Sequence, residues 1–158
     1  MSKAVVTSAR PTSDSYGQRL SVPLLTTLFD AKGLRPRVWV DLGRAQGGLA
    51  AHLSGQPARL LVADLPRARL DGNPQWFLPD SVLPQNCWRE SADRFLCWDL
   101  LNYMAPNELN ALSSCIAHHA STDCRIHALI QYSGTLMSAQ PGRFTLDDNL
   151  ELTLAGAD

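Results

Sequence analysis

Apolar residues follow two alternating rhythms along this chain. RVWVDLG, from Arg37 to Gly43, and RLLVADLP, from Arg59 to Pro66, are short apolar runs rich in strand-forming residues, and an acid stands near the end of each. Both read as buried strands entering tight turns. Between them GGLAAHLSG places Leu49 and Leu53 on one face and ends at Gly55, which predicts a short helix. Upstream, Leu20, Leu24, Leu25, Leu28 and Phe29 recur at helical spacing, with Pro23 tolerable only near the first turn and Gly33 suited to the C-terminal cap. The residues up to Ser15 are polar and predict an arm ahead of a single domain over residues 16–158.

From Arg67 to Arg89 the rhythm is broken by Gly72, Asn73, Pro74, Pro79 and Pro84, leaving room for at most one edge strand around Trp76–Leu78. It returns in DRFLCWDLLNYM, where Phe95–Trp98 predict a strand and Asp99–Tyr103 its exit. Pro106 opens a helix with Leu109, Leu112 and Ile116 as its apolar stripe, and Cys124–Tyr132 read as another strand. After Pro141 and Gly142, RFTLDDNLELTLAGAD alternates apolar and polar residues and predicts a small hairpin. Strands alternating with helices over crossover-length connections predict an α/β domain with an open, mostly parallel sheet and helices on both faces.

Composition narrows the function classes. Fourteen Lys and Arg against 15 Asp and Glu give a net charge of −1, which argues against a nucleic-acid surface. No stretch has the length of a membrane span and the first residues lack a secretory core, so the cytoplasm is the expected compartment. Cys87, Cys97, Cys115 and Cys124 show no paired spacing and are expected as reduced, mostly buried thiols. Cys115, His118, His119 and Cys124 could converge on zinc, since positions three or four apart share a helix face, but zinc sites read from sequence carry tighter paired spacing, so no metal is expected.

Open parallel sheets bind ligands beyond the carboxyl ends of their strands, where the strand order reverses. The residues to weigh are therefore Asp41 with the loop Gly43, Arg44, Ala45, Gln46 and Gly47; Asp64; Asp80; and Trp98, Asp99, Asn102 and Tyr103. Small residues in the first loop let backbone approach a ligand closely. Asp64 follows Asp41 by roughly 20 residues, the spacing at which an acid accepts hydrogen bonds from the hydroxyls of a ribose. A nucleoside-containing cofactor is implied. A pyrophosphate would face the Asp41 carboxylate in a poorly screened site, and the loop lacks the full GxGxxG pattern, so a nicotinamide dinucleotide ranks low. S-adenosylmethionine carries a sulfonium, an ammonium and no phosphate, and suits an acid there.

At these residues the chain resembles the class I S-adenosylmethionine-dependent methyltransferase family. VWVDLGRAQGG is similar to its first motif, VADLP to its second, and Asp80 ahead of Leu83 and Pro84 to its adenine-side acid; DRFLCWDLLNYM resembles its fourth strand. The resemblance runs from about Tyr16 to Gly142 and implies a Rossmann-like sheet. It implies that Asp41 holds the methionine amino group, that Gly43, Ala45 and Gly47 form the cofactor loop, and that Asp64 binds the ribose. Leu65 would cover the adenine, Asp80 would meet its exocyclic amine, Trp98 would line the other side, and Tyr16 and Arg19 would reach the carboxylate. The family closes its sheet with an antiparallel pair of strands for which this chain has little room. Those strands are expected to be reduced or missing, with the last hairpin as their remnant and an open fifth-strand edge that favours pairing with another chain, as in a homodimer.

Each acid also has a structural reading: Asp41 and Asp64 as helix caps, Asp80 as a turn residue beside Pro79, Asp99 as a loop cap rather than a general base. None of the four histidines is expected to be catalytic. Two functions follow: methyl transfer to a small-molecule acceptor, with Asp99 as proton acceptor, or a methyltransferase-like binding or assembly subunit without turnover, joined through its sheet edge.

Overall fold

A computed structural model describes residues 17–29, 35–44, 47–132 and 137–155. The predicted arm, Tyr16, the Gly33 cap and the loop residues Ala45 and Gln46 lie outside them. In chain order the elements are β1 (Gln18–Leu20), α1 (Pro23–Phe29), β2 (Arg37–Asp41), α2 (Gly47–Leu53), β3 (Ala58–Val62), α3 (Leu65–Leu70), β4 (Ala92–Trp98), α4 (Pro106–His119), β5 (Ala120–Ala128), β6 (Phe144–Leu146) and β7 (Leu152–Leu154). Short 3-10 turns occupy Pro79–Ser81, Gln85–Trp88 and Leu100–Tyr103.

The expected α/β architecture is present: four parallel strands in the order β3-β2-β4-β5, flanked by helices. Strand periodicity sorts the side chains onto two faces. Trp39, Leu96 and Trp98 face α1 and α2, packing with Leu25, Leu28, Leu49 and Leu53. Val38, Val40, Phe95 and Cys97 face the other way and pack with Leu65, Leu112 and Ile116. Burial on both faces explains why β2 and β4 read as continuous apolar runs rather than alternating ones. The chain leaves β2 for β3 on one side and returns to β4 on the other, so the order reverses at the carboxyl ends of β2 and β4.

Local chemistry sets the ends. Pro23 and Pro106 each stand at the first position of a helix, where a missing N–H costs nothing. The Glu108 carboxylate accepts the Ala105 N–H at 2.8 Å, which closes the start of α4.

Four expectations need correction. Leu20 belongs to β1 rather than to the first helix, because Pro23 fixes the helix start behind it. Trp76–Leu78 form no strand; the prolines there favour turns, and Trp76 is buried against the α3 and α4 side of the sheet. The fifth strand begins at Ala120, straight from α4, and ends at Ala128. The final hairpin does not extend the parallel sheet. β6 and β7 pair with each other, and β7 pairs with β1, as a separate three-stranded antiparallel sheet. Its Phe144, Leu146 and Leu152 close over the Trp39 and Trp98 face. Gly48 permits that approach: a Cβ there would stand 2.0 Å from the Leu146 carbonyl oxygen. Among the described residues no helix is long and apolar enough to cross a membrane.

Candidate functional site

The strand tips at the order reversal carry a cluster of unusual groups. Asp41, the last residue of β2, is 1% exposed. Its Oδ1 accepts the Gly43 N–H at 2.9 Å and the Trp98 indole N–H at 2.7 Å. Burial raises its pKa from 3.8 to about 6, against the pull of those two donors, and the nearby Asp64 charge adds to the rise.

Trp98 ends β4 with a φ of 49°, a left-handed conformation that costs a non-glycine residue about 1–2 kcal/mol. Its contacts hold it there. The indole donates to Asp41 and stacks on Phe144 with ring centroids 5.7 Å apart and planes 13° from parallel. It also lies directly on Gly43, where an added Cβ would come within 2.2 Å of the ring. Gly43 is therefore fixed by the close approach of an indole to its backbone.

Asp64 is a second non-glycine residue in the left-handed region, with φ 42°. Its Oδ1 accepts the Arg67 N–H at 3.1 Å and so caps α3, the structural role that the sequence also allowed. Asp99 follows Trp98. Its Oδ2 accepts the Gly142 N–H at 2.8 Å, while Oδ1 is buried with no hydrogen-bond partner among the described residues. Burial raises the Asp99 pKa, and the Gly142 N–H opposes the rise. The Tyr103 hydroxyl donates to the Gln140 carbonyl at 2.8 Å, so the segment before β6 is tied across the strand tips. Between Gly43, Pro66, Trp98, Asp99, Gly142 and Phe144 remains a cavity of about 10 Å³, room for a single water.

Asp41, Gly43, Trp98 and Asp99 are thus brought together as the sequence analysis expected. Asp64 stands at the neighbouring strand tip, close enough to act on the Asp41 charge. Three expected residues are placed elsewhere. Leu65 is fully buried in the core under α3 and presents nothing to the crevice. Arg19 pairs with Glu151 on the surface at 3.2 Å. Asp80 lies at the opposite rim, near the amino ends of the strands, where His119 Nε2 is 2.8 Å from its Oδ1. Gly47 opens α2, and Ala45 is outside the described residues. Pro66, Gly142 and Phe144 line the crevice without having been singled out. The Pro141–Gly142 pair marked a turn, but only the fold shows what that turn covers.

All four cysteines are free; Cys97 is buried, with its thiol pushed up to about 12, and the other three are half-buried. Burial holds the His127 imidazole below its ordinary value. His52 meets Phe29 edge-on at 4.7 Å between ring centroids.

The Asp41 shift yields a pH prediction. A carboxyl whose folded pKa is raised holds its proton longer in the native state than in the unfolded chain. Stability therefore falls as pH rises from about 4 through 6, by about 3 kcal/mol. Asp41→Asn keeps an oxygen for the two donors and removes that burden. Urea unfolding should show the variant more stable than wild type at pH 8, with the gap closing at pH 4.

Comparison with protein-family models, with curated proteins and with solved structures finds no match to this chain in any of the three.

Proposed function

We propose that this is a Rossmann-like domain of the methyltransferase type, and that its strand-tip crevice takes S-adenosylmethionine for methyl transfer to a small-molecule acceptor. The observation that carries the reading is the coincidence, at the sheet's order reversal, of two carboxylates on adjacent tips with two left-handed non-glycine residues. Perturbed acids and strained backbone cluster where ligands bind.

The residues fit the cofactor in charge and in backbone shape. Asp41 would hold the ammonium, and the arriving cation would favour its ionised form and offset the cost of burial. The Gly43 backbone, bare of a side chain, is a cradle that the indole now fills. Asp64, with one oxygen engaged at the α3 cap, would turn its carboxylate to the ribose hydroxyls. When bound, the cofactor supplies a methyl group already activated by its sulfonium. The chain's task is then to hold donor and acceptor in line and to exclude water. Asp99, raised by burial and with Oδ1 unpartnered among the described residues, would take the proton of the acceptor nucleophile. Trp98 must swing out, because a small-molecule site needs about 300 Å³ or more. Its strained backbone lowers the cost of that movement. Four free thiols fit action in the reducing cytoplasm.

One observation favours the second reading, an assembly subunit without turnover: the indole fills the crevice as a core side chain would. The outer edge of β5 has no strand partner among the described residues, and Ile126 on it is 55% exposed, as a homodimer through that edge would use. Calorimetry with S-adenosylmethionine and S-adenosylhomocysteine separates the two. Micromolar binding that weakens about tenfold or more in Asp41→Asn and in Asp64→Ala supports the first reading. No heat with either ligand, from a chain that elutes as a stable oligomer, supports the second.

A further inference from the structure

At the opposite rim of the sheet, away from the crevice, three donors of different chemistry converge. Cys115 and His119 are four residues apart on α4 and so share one face of the helix. The 3-10 turn at Pro79–Ser81 brings Asp80 against that face. The Cys115 Sγ, a His119 ring nitrogen and an Asp80 carboxylate oxygen all lie within 4.8 Å of one another. The sequence offers Cys115, His118, His119 and Cys124 as a possible cluster, which its spacing argues against. The fold keeps only two of those and supplies the carboxylate from a turn distant in the chain.

We propose that Asp80, Cys115 and His119 form a zinc(II) site with three protein ligands and a fourth position open to solvent. The donor set selects the metal. Thiolate with imidazole suits zinc, whereas magnesium and calcium take oxygen ligands. Zinc bonds of 2.0–2.3 Å set tetrahedral ligand atoms about 3.5 Å apart. The three atoms lie within 4.8 Å of one another, so closure takes shifts of about 1 Å shared among the three side chains. Asp80, 49% exposed, can rotate to meet the other two. His119 Nε2 and Asp80 Oδ1 already face each other across a shared hydrogen, whose place the ion would take. Trp88 stacks flat on His119, with ring centroids 3.8 Å apart and planes 13° from parallel, and so limits rotation of the imidazole out of that plane.

The site is open on one side. A depression of about 480 Å³ lies beside Asp80 and His119, bordered by Trp88, Arg89, Glu90 and His118. Structural zinc sites close all four positions with protein donors; three donors beside open solvent match the pattern that leaves a position for water or a small ligand. Burial, together with the Asp80 charge, pushes the Cys115 thiol up to about 11, and a coordinated zinc would strip its proton outright.

The test uses the tag-free full chain and the metals alone. Zn²⁺ titrated against a chelating dye should load one ion per chain, with no competition from Mg²⁺. Co²⁺ in its place should give a thiolate charge-transfer band and the visible bands of a tetrahedral site. Cys115→Ser should abolish the charge-transfer band. Asp80→Asn, at a half-exposed side chain, should weaken zinc at least about tenfold while circular dichroism stays unchanged. Failure to load zinc stoichiometrically would overturn the proposal, as would loading that survives both substitutions undiminished. Neither result depends on what the crevice binds.

Discussion

Replacing Trp98 with alanine is expected to lower the free energy of unfolding by about 3–5 kcal/mol, the range for truncating a buried tryptophan. The loss has three parts. The indole fills the space over Gly43, it stacks on Phe144, and it donates one of the two hydrogen bonds that steady the buried Asp41 carboxylate. Trp98→Phe isolates the last part. It keeps a ring for Phe144 but takes a donor from a buried acceptor, at a cost of about 1–3 kcal/mol. Alanine and phenylalanine are no freer than tryptophan in the left-handed region, so the substitutions themselves bring no relief of the backbone at φ 49° to offset either loss. Urea unfolding at pH 8, where Asp41 is ionised, gives both numbers. Equal stability of the two variants would mean that the hydrogen bond to Asp41 carries the whole effect and the packing none.

The second large effect is expected at the amino ends of the strands. Asp93 is 3% exposed and accepts the Val38 N–H at 2.9 Å, the Ser121 hydroxyl at 3.0 Å and the Arg35 guanidinium. Burial alone would raise its pKa, but the Val38, Arg35 and Ser121 donors outweigh it and hold the carboxyl below its usual range. Asp93→Ala strands the buried Val38 N–H and should cost about 3 kcal/mol or more. Arg35→Ala should cost about 1 kcal/mol or less, because that side chain is 61% exposed and screened by solvent. The sign with pH is opposite to that of Asp41. A depressed folded pKa contributes stability that is present above the unfolded value near 4 and is lost as pH falls through the folded value. In acid, wild type should therefore converge on Asp93→Ala, and an undiminished gap at pH 2 would contradict this role.

How much of this was readable beforehand depends on how local each cause is. The β2, β4 and α4 patterns are carried by their own residues: RVWV and FLCW are buried on both faces, and Leu112 and Ile116 form a helical stripe. Strand ends follow from run ends, so Asp41, Trp98 and Asp99 were legible as neighbours once a parallel sheet was inferred. Contacts made between distant segments were not. β1 is three residues long, too short for any period to show, and its partner β7 lies more than a hundred residues away. Asp80 looked like a strand-tip acid because it follows an apolar stretch. The prolines made that stretch a run of turns ending in the 3-10 turn at Pro79–Ser81, which stands at the far rim, where His119 meets Asp80. The indole over Gly43 is a matter of rotamer and backbone strain, which no spacing rule encodes.

The indole N–H of Trp98 reports most directly on the crevice. In a ¹⁵N-labelled chain its resonance, identified as the one lost in Trp98→Phe, should start hydrogen-bonded to Asp41 and slow to exchange with solvent. Addition of S-adenosylmethionine should shift it and open it to exchange as the side chain leaves the Gly43 cradle. A signal that neither moves nor gains exchange at saturating cofactor would contradict the account: the tryptophan would then be part of the core, and the crevice would not be a binding site.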